Sequence, residues 1–572
     1  MSAPRVTGAP LNPPAPSAAV PVKKSPWILG RWLDLLLFVG TPAVLIPIFI
    51  AAQARWSAQD IFLFVGAFGA MGHHLPGMIR AYGDRSLFYR FRTRFIVAPV
   101  ALLAVCIWST FYDIQAIQLV ALIWGIWHGL MQTYGFCRIY DAKASAAAAS
   151  RARADFALCA TAFTAAVLLS PLRFRTCLEL YYESGGPVIP TWVISAIRSG
   201  MIGLVALAFA QFALRQWLDW RAGRGVSPIK LLLLTSSISF WWYCNNGVQN
   251  ILVGIALFEV FHDVQYLSIV WIYNRARVER DESIRGFMRF VFRQSGSLLG
   301  VYVGLVLAYG AIALVGQGLS IEGVRNSLMG VVTASALLHF YYDGFIWKVR
   351  ESQTRSVLGI DSSGVSAARE RRRFPVWTAH ALRWAALIIP VGGLCAAQLM
   401  GRVVPPLERY GKVAELLPTD AKAQLNFGRA LHDAGRIEEA QAHYESALAR
   451  DPSLAAAEFY SGLAWSDRGD FNRAFEHYQK ALALDPNNVK TEVNFAVLLR
   501  QRGQKEEARR HYEHALSREN NLDIAHKELA DLMVEAGEYE TALPHYREAL
   551  RINPDFRPAK ENLDFAESLA RH

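Results

Sequence analysis

Apolar runs long enough to cross a bilayer recur through the first two thirds of the chain, and they restrict the fold more than any other feature. A transmembrane helix needs about 20 mostly apolar residues, and its backbone hydrogen bonds must be satisfied within the segment. Runs near this length occur at 32–52, 58–79, 95–112, 115–137, 155–171, 190–214, 229–246, 249–273, 295–316, 327–347 and 377–400. The sequence therefore predicts a polytopic transmembrane bundle of about eleven helices at 27–402.

The charge distribution predicts how this bundle is oriented. The formal net charge is +11, yet residues 403–572 hold 22 Lys plus Arg against 29 Asp plus Glu, so the positive excess lies in the apolar part. Short basic loops mark the cytoplasmic side of a membrane, and here they lie at 80–94, 138–154, 274–294 and 348–376. This charge indicates topology, and we predict no nucleic-acid partner. Eleven crossings of a bacterial inner membrane would leave the N-terminus cytoplasmic and the C-terminal region periplasmic.

The N-terminal tail and the cysteines predict little further structure. Residues 1–26 are rich in Pro and Ala and are predicted to be disordered. The six cysteines include no CxxC pair, so we predict neither a disulfide framework nor a zinc finger.

A 34-residue period begins after Pro405 and Pro406. It is carried by Ala440, Ala474, Ala508 and Ala542 and by Tyr444, Tyr478, Tyr512 and Tyr546. This pattern resembles the tetratricopeptide repeat (TPR), a pair of antiparallel helices. The resemblance implies an α-solenoid at 403–572, with repeats at 421–454, 455–488, 489–522 and 523–556 and a capping helix at 557–572. The whole chain is thus predicted to be all-α, a transmembrane bundle followed by a TPR solenoid.

The resemblance also implies a use for the solenoid. TPR arrays bind proteins or peptides on their concave face, so we expect a protein or peptide partner there. Charged residues of both signs line the expected groove, and they predict no particular ligand. A spacer or an oligomerisation arm is the alternative.

One apolar run carries an ionisable face. Glu259, His262, Asp263 and Tyr266 follow the spacing i, i+3, i+4, i+7, so they share one side of a helix. Ionisable groups inside a bilayer are costly and mark a functional interior. This face is therefore the first candidate for a site.

Three further runs place histidines at a similar depth. His73 and His74 precede a basic loop, as do His128 and His339, and Asp343 lies one turn after His339. At 1.5 Å per residue the histidines lie about 9 to 20 Å from the cytoplasmic edge. All of them lie on helices predicted to run in the same direction, so they form one layer in the inner leaflet.

Imidazole and carboxylate side chains together suit iron, zinc or manganese. The predicted metal ligands are His73, His74, His128, His262, His339, Asp263 and Asp343, and the predicted catalytic residues are Glu259, Tyr266 and Tyr342. The histidine layer resembles that of integral-membrane non-haem iron oxygenases, although the chain has only the pair His73–His74 in place of their HxxxH and HxxHH boxes. This resemblance implies a metal-dependent enzyme, with iron as the first candidate, acting on a lipid or isoprenoid substrate.

Two alternatives use the same residues differently. The fragment Trp127–His128–Gly129 is similar to one in membrane-bound O-acyltransferases, which implies a histidine base, His128 or His262, and no metal. A single buried histidine is also commonly an interhelical hydrogen-bonding residue. In that case the protein would be a membrane-anchored TPR scaffold without enzymatic activity.

Overall fold

The computed structural model describes residues 25–144, 149–282, 284–293, 297–317, 321–346 and 376–571. Most of the predicted disordered tail and nearly all of the basic loop at 348–376 lie outside these residues. Within them every regular element is a helix, which confirms the predicted all-α class.

The N-terminal part of the chain, which we call the bundle, contains sixteen α-helices within the described residues. They are α1 (Arg31–Asp34), α2 (Thr41–Gln53), α3 (Ala58–Val65), α4 (His74–Gly83), α5 (Arg85–Arg90), α6 (Arg92–Phe111), α7 (Gln115–Lys143), α8 (Ala149–Leu169), α9 (Pro171–Glu183), α10 (Thr191–Arg221), α11 (Pro228–Trp242), α12 (Ile251–Arg280), α13 (Gly286–Phe292), α14 (Ser297–Gln317), α15 (Glu322–Ile346) and α16 (Val376–Leu399). Short π-helical turns at Leu35–Gly40, Gly66–Met71 and Tyr243–Gly247 join some of them.

Six helical segments among the described residues are long and apolar enough to cross a membrane. They are Arg31–Gln53, Ala58–Gly83, Arg92–Phe111, Arg151–Leu169, Thr191–Arg221 and Ile251–Arg280. The predicted number of about eleven spans is therefore not supported. Among the described residues, α11 is only 15 residues long, and α7 and α15 carry among their apolar residues polar side chains that contact other helices, such as His128, Gln132 and Asp343.

Contacts between helix termini define one end of the bundle, which we call the basic end. There Arg277 in the last turn of α12 meets Asp84 at the start of α5, with Nη2 3.4 Å from Oδ2. Arg151 near the start of α8 meets Asp219 near the end of α10 at 2.5 Å. The basic segments between α4 and α6, between α7 and α8, and at the C-terminus of α12 lie at this end.

The opposite end of the bundle carries α9. Ser170, just before α9, donates a hydrogen bond to the carbonyl of Asn245 at 2.6 Å. Gln398 at the end of α16 accepts a hydrogen bond from the amide of Gln115 at the start of α7, at 3.0 Å. The segment between α8 and α10 is therefore folded against the bundle.

The C-terminal part of the chain, from Pro406 onward, forms the helix pairs that the 34-residue period predicts. The helices are Pro406–Leu416, Ala421–Asp433, Ile437–Arg450, Ala455–Asp467, Phe471–Leu484, Val489–Gln501, Lys505–Arg518, Asp523–Glu535, Tyr539–Ile552 and Arg557–Ala570. Gly435, Gly469, Gly503 and Gly537 turn the chain within each pair, with φ between 75° and 79°, a region that glycine adopts without strain. The repeated tyrosines and alanines are buried between these helices.

This array docks on the end of the bundle that carries α9. Arg175 forms a buried ion pair with Asp420, the N-cap residue of the first repeat. Asn426 donates a hydrogen bond to Glu179 at 3.1 Å, and beneath these contacts Leu178 and other apolar residues of α9 pack with residues of Pro406–Leu416. The array is thus fixed to the bundle by side-chain contacts as well as by chain connectivity.

Candidate metal centre

Four histidines from four separate helical segments meet in the interior of the bundle. Their Nε2 atoms form a chain of close contacts: His73 to His339 at 3.1 Å, His339 to His128 at 3.1 Å, and His128 to His262 at 3.2 Å. The ligand atoms of all four lie within 4.8 Å of one another, and all four residues are buried. The structure therefore brings together the predicted histidine layer.

The local structure explains how these rings converge. His128 lies on α7 and His262 on α12. Gln132, one turn after His128, donates hydrogen bonds to the carbonyl of His262 and to the side chain of Gln265, which shows that the two helices run parallel. His73 lies between the π-helical turn Gly66–Met71 and α4. Short π-helical segments in longer helices are frequent at functional sites because they redirect side chains. Here the turn lies just before His73, the residue of the second apolar run whose ring joins the other three.

Asp263 sets the direction of the His73 ring. Its Oδ1 lies 2.6 Å from Nδ1 of His73, which leaves Nε2 facing the other three rings. A carboxylate in this position fixes the tautomer and orientation of a metal-bound histidine. Gly69 permits the contact, because a Cβ at that position would collide with Oδ2 of Asp263.

Two further carboxylates lie beside the four rings. Asp343 Oδ2 is 3.7 Å from Nε2 of His339 and 3.9 Å from Nε2 of His128, and Tyr266 donates a hydrogen bond to Oδ1 at 3.0 Å. Glu259 groups with Asp263 and His73, and their ligand atoms lie within 4.8 Å of one another. The ionisable face of α12 thus contacts the centre over its whole length.

Hydrogen bonding accounts for only two of the three Nε2 contacts. A ring nitrogen of neutral imidazole carries either one hydrogen or one lone pair. His339 and His128 each have two Nε2 neighbours, so protons satisfy at most two of the three contacts. A metal ion accepts a lone pair from every Nε2 atom at once.

The spacing of these donors also suits a first-row metal. Metal–nitrogen bonds of about 2.0–2.1 Å hold neighbouring ligand nitrogens about 3.0–3.4 Å apart. The three observed contacts, at 3.1, 3.1 and 3.2 Å, fall in this range. The donor set therefore suits a bound metal ion, and because the four ligand atoms lie within 4.8 Å of one another, only small side-chain adjustments would be needed.

Two predicted site residues lie outside this group. His74 stacks on His339, but its Nδ1 contacts Ser335 Oγ at 2.9 Å, and its ring is not one of the four. Tyr342 points away from the centre, and its hydroxyl lies 2.7 Å from that of Tyr82. The structure thus gives neither residue direct contact with the convergent Nε2 atoms.

A buried ion-pair network at the basic end was not foreseen. Lys230 is completely buried on α11, with Nζ 3.0 Å from carboxylate oxygens of both Asp141 and Asp155. Arg138 contacts the same two carboxylates at 2.8 and 3.3 Å. A lysine in an apolar run is the sequence signal for it, because a buried cation requires anionic partners.

A second missed feature is a polar contact repeated inside each helix pair of the solenoid. His443, His477, His511 and His545 each contact the residue 19 positions earlier, namely Gln424, Glu458, Glu492 and His526. These four partners are buried, and the distances range from 2.6 to 3.1 Å. Both sets recur at 34-residue spacing, so the period alone could have revealed them.

Comparison with known proteins identifies the C-terminal part of the chain. Two family models, both described as tetratricopeptide repeat, match residues 425–489 and 467–533. The chain therefore contains tetratricopeptide repeats within residues 425–533, inside the predicted range 421–556, and these repeats serve protein–protein interaction. No curated protein matches the sequence. The resemblance of the bundle to iron oxygenases is not shown by these comparisons.

Solved structures similar to part of the chain are TPR proteins and MamA. One is YrrB, titled a TPR protein with an unusual peptide-binding site, at 21% identity, 32% coverage of this chain, 88% of that chain and a TM-score of 0.24. MamA matches at 19% identity, with 28% and 91% coverage and a TM-score of 0.24. A protein of Thermus thermophilus, titled a thermophilic TPR protein, matches at 17% identity, with 33% and 97% coverage and a TM-score of 0.25.

Proposed function

We propose that the bundle is a metal-dependent enzyme acting on a lipid or isoprenoid substrate, and that the TPR array binds a protein partner for it. The observation that carries the enzymatic proposal is the convergence of four Nε2 atoms in three close contacts, of which hydrogen bonds account for only two. A structural role for each histidine would require only pairwise hydrogen bonds. The convergence of all four therefore favours a metal ligand set.

The metal would be held by His73, His128, His262 and His339, with Asp343 close enough to complete the set. When bound, iron or manganese supplies redox chemistry with oxygen, and zinc supplies Lewis acidity. Iron remains our first candidate, with zinc and manganese as alternatives. Imidazole ligands suit all three metals.

The surrounding residues provide proton-handling groups. The hydroxyl of Tyr266 donates to Asp343, so this pair can hold a proton next to two of the ring nitrogens. Glu259 lies beside Asp263. We propose proton-transfer roles for Tyr266 and Glu259, whereas the position of Tyr342 favours a structural one.

A substrate from the bilayer suits the position of this centre. The rings lie deep in the bundle, and the outward faces of its helices carry large exposed apolar side chains such as Ile50, Phe64 and Leu207. A lipid or isoprenoid chain partitions into the same apolar phase that would surround these faces. A hydrophobic substrate therefore fits the position of this centre.

We also propose that the protein lies in a bacterial inner membrane with its basic end in the cytoplasm and its TPR array in the periplasm. This orientation does not depend on the number of membrane crossings. The array contacts α9, at the end opposite to the basic loops, and basic loops favour the cytoplasm. Alkaline phosphatase fused after His572 should be active. An inactive fusion, with a fluorescent protein bright at the same point, would contradict this orientation.

Metal analysis tests the enzymatic proposal directly. Detergent-purified protein should contain about one equivalent or more of iron, zinc or manganese, and His128→Ala should lose most of it, because losing a directly bound ligand weakens a site severely. His74→Ala is the matched control, since that ring is equally buried at the same depth but outside the four. It should retain the metal.

Other outcomes would favour the alternatives. Protein that lacks metal but still modifies lipids would support the O-acyltransferase hypothesis, with a histidine base. Protein that lacks both metal and activity, while capturing a partner on its solenoid, would support the scaffold hypothesis. Equal metal loss from His74→Ala and His128→Ala would mean that the ligand set is wrong.

A further inference from the structure

The short helix α13 at the basic end divides its side chains between two sides. Met288, Val291 and Phe292 are buried and pack against residues of α4, α12 and α14. Phe287 and Phe290 point the other way and are 55% and 44% exposed. Transfer of such large apolar side chains out of water is favourable. The outer side of α13 therefore suits an apolar environment.

Three exposed arginines lie beside these two phenylalanines. Arg285, Arg289 and Arg293 recur at every fourth residue, which places them along one side of the helix. The guanidinium of Arg293 lies over the ring of Phe290, 5.2 Å from its centroid. The exposed surface of α13 thus has an aromatic strip next to a basic strip, the arrangement of a helix that lies in a membrane interface.

The protein does not supply anions for the basic strip. Residues 284–293 include no Asp or Glu, and none of the three arginines forms an ion pair with a described residue. The carboxylates shortly before α13 are used elsewhere, since Glu279 pairs with Arg275 and Asp281 pairs with Arg277. The positive charge of α13 is therefore available to an anion from outside the chain.

The place of α13 in the chain puts it where the edge of a bilayer would lie. It follows α12, one of the helices long enough to cross a membrane, and Gly286, with φ of 68°, turns the chain into it. The next helix, α14, carries exposed apolar side chains from its first turns onward, such as Leu299 and Val303. Apolar acyl chains meet charged headgroups at such an edge.

We propose that α13 binds anionic lipids of the cytoplasmic leaflet, with its two exposed phenylalanines among the acyl chains and its three arginines on the phosphate headgroups. The inference rests on the proposed position of the basic end in the membrane. Arginine recognises phosphate through paired hydrogen bonds. Each basic side chain beside an anionic leaflet also strengthens binding about fivefold. Zwitterionic lipid carries no net charge, so the arginines favour anionic lipid over it.

Photo-crosslinking of the full chain in lipid vesicles tests the inference. Phe287 is replaced by the photoreactive residue p-benzoylphenylalanine, and the vesicles contain equal amounts of phosphatidylglycerol and phosphatidylcholine. Leu207, which is 66% exposed on α10, is replaced in the same way as a reference for bulk lipid. The ratio of phosphatidylglycerol to phosphatidylcholine adducts, measured by mass spectrometry, should be about fivefold or more higher at position 287 than at position 207.

Charge variants separate the role of the arginines from simple contact with lipid. Combining Arg285→Gln, Arg289→Gln and Arg293→Gln should lower the ratio at position 287 to that at position 207, whereas the three Arg→Lys substitutions should keep most of the difference. All three side chains are exposed, so we expect these variants to fold. A ratio that is unchanged by the Gln substitutions would overturn the role of the arginines.

The reference position separates this inference from the proposed membrane position. Equal ratios at positions 287 and 207 in the otherwise native chain would overturn the preference for anionic lipid. Lipid adducts at position 207 with none at position 287 would overturn the inference and leave the membrane position of the bundle intact. No lipid adduct at either position would overturn both.

Discussion

Tyr478→Ala tests how the solenoid is held together. The Tyr478 ring is 2% exposed and lies against Gly462, where a Cβ would come within 2.7 Å of two ring carbons. Replacing a fully buried aromatic residue by Ala costs about 3–5 kcal/mol. For a domain of 150 to 250 residues each kcal/mol shifts the melting temperature by about 2–4 °C. We therefore expect the melting temperature to fall by about 6–20 °C.

The fragment 403–572 is suited to this measurement. A solenoid repeat needs only its neighbours, so the fragment should fold without the bundle. Trp465 is its single tryptophan and packs against the same core cluster as Tyr478. Urea unfolding followed by Trp465 fluorescence, together with thermal unfolding followed by circular dichroism, gives the free energy and the melting temperature.

Two conservative variants separate the ring from the hydroxyl. The Tyr478 hydroxyl has no hydrogen bond to a described residue, so Tyr478→Phe should change the free energy of unfolding by well under about 1 kcal/mol. The Tyr546 hydroxyl donates to Asp531 at 2.6 Å, so Tyr546→Phe should cost about 1.5–3 kcal/mol. A cost near zero for Tyr478→Ala, or equal costs for the two Phe variants, would refute this account of the packing.

Two further predictions concern a backbone position and pH. Gly69→Ala should weaken metal binding about 10- to 100-fold by displacing Asp263, as measured by competition with a chelator. Gly135→Ala, in open space on α7, should have no effect. Equal metal affinities of these two variants would contradict the role of Gly69. Burial raises the pKa of the Asp531 carboxyl, but hydrogen bonds from Tyr546 and other donors lower it more, so the net pKa lies below its usual value. Such a carboxyl stabilises the folded state above its unfolded pKa of about 4 and loses that effect as the pH falls further. The urea midpoint of fragment 403–572 should therefore decrease when the pH is lowered below about 4, and it should decrease less in Asp531→Asn. Parallel plots of midpoint against pH for the two proteins would contradict this linkage.

The convergence of the histidines could be predicted because it follows from helix direction and depth. His128, His262 and His339 each precede a basic segment by a similar number of residues, and parallel helices with matched depths bring such residues to one level. The choice between His73 and His74 could not be made this way. It depends on the π-helical turn before them, which no periodic pattern in the sequence indicates.

The role of Tyr342 and the number of spans were harder to predict for a related reason. An apolar run shows that a helix is buried but not whether lipid or protein surrounds it. Tyr342 lies on the same helix as His339, yet its side chain points to Tyr82 and Phe95. Which neighbour a helix face meets is set by tertiary packing, and a single sequence does not encode it in its periodicity.

The solenoid was the most predictable part, because each repeat contacts mainly its neighbours. Even there, a polar pattern with the same period was missed. Glu458 and Glu492 occupy positions where helix pairs commonly bury apolar residues, and each accepts a hydrogen bond from the histidine 19 residues later. A search for periodic apolar residues passes over periodic polar pairs.

The docking of the array on α9 has a mechanical consequence. A solenoid on a flexible tether would swing, and its cargo would sample a volume set by the length of the tether. The buried pair of Arg175 with Asp420 and the apolar contacts beneath it remove that freedom. A protein bound to the array would therefore be held at a fixed position relative to the bundle, without the range of positions that a tether would allow.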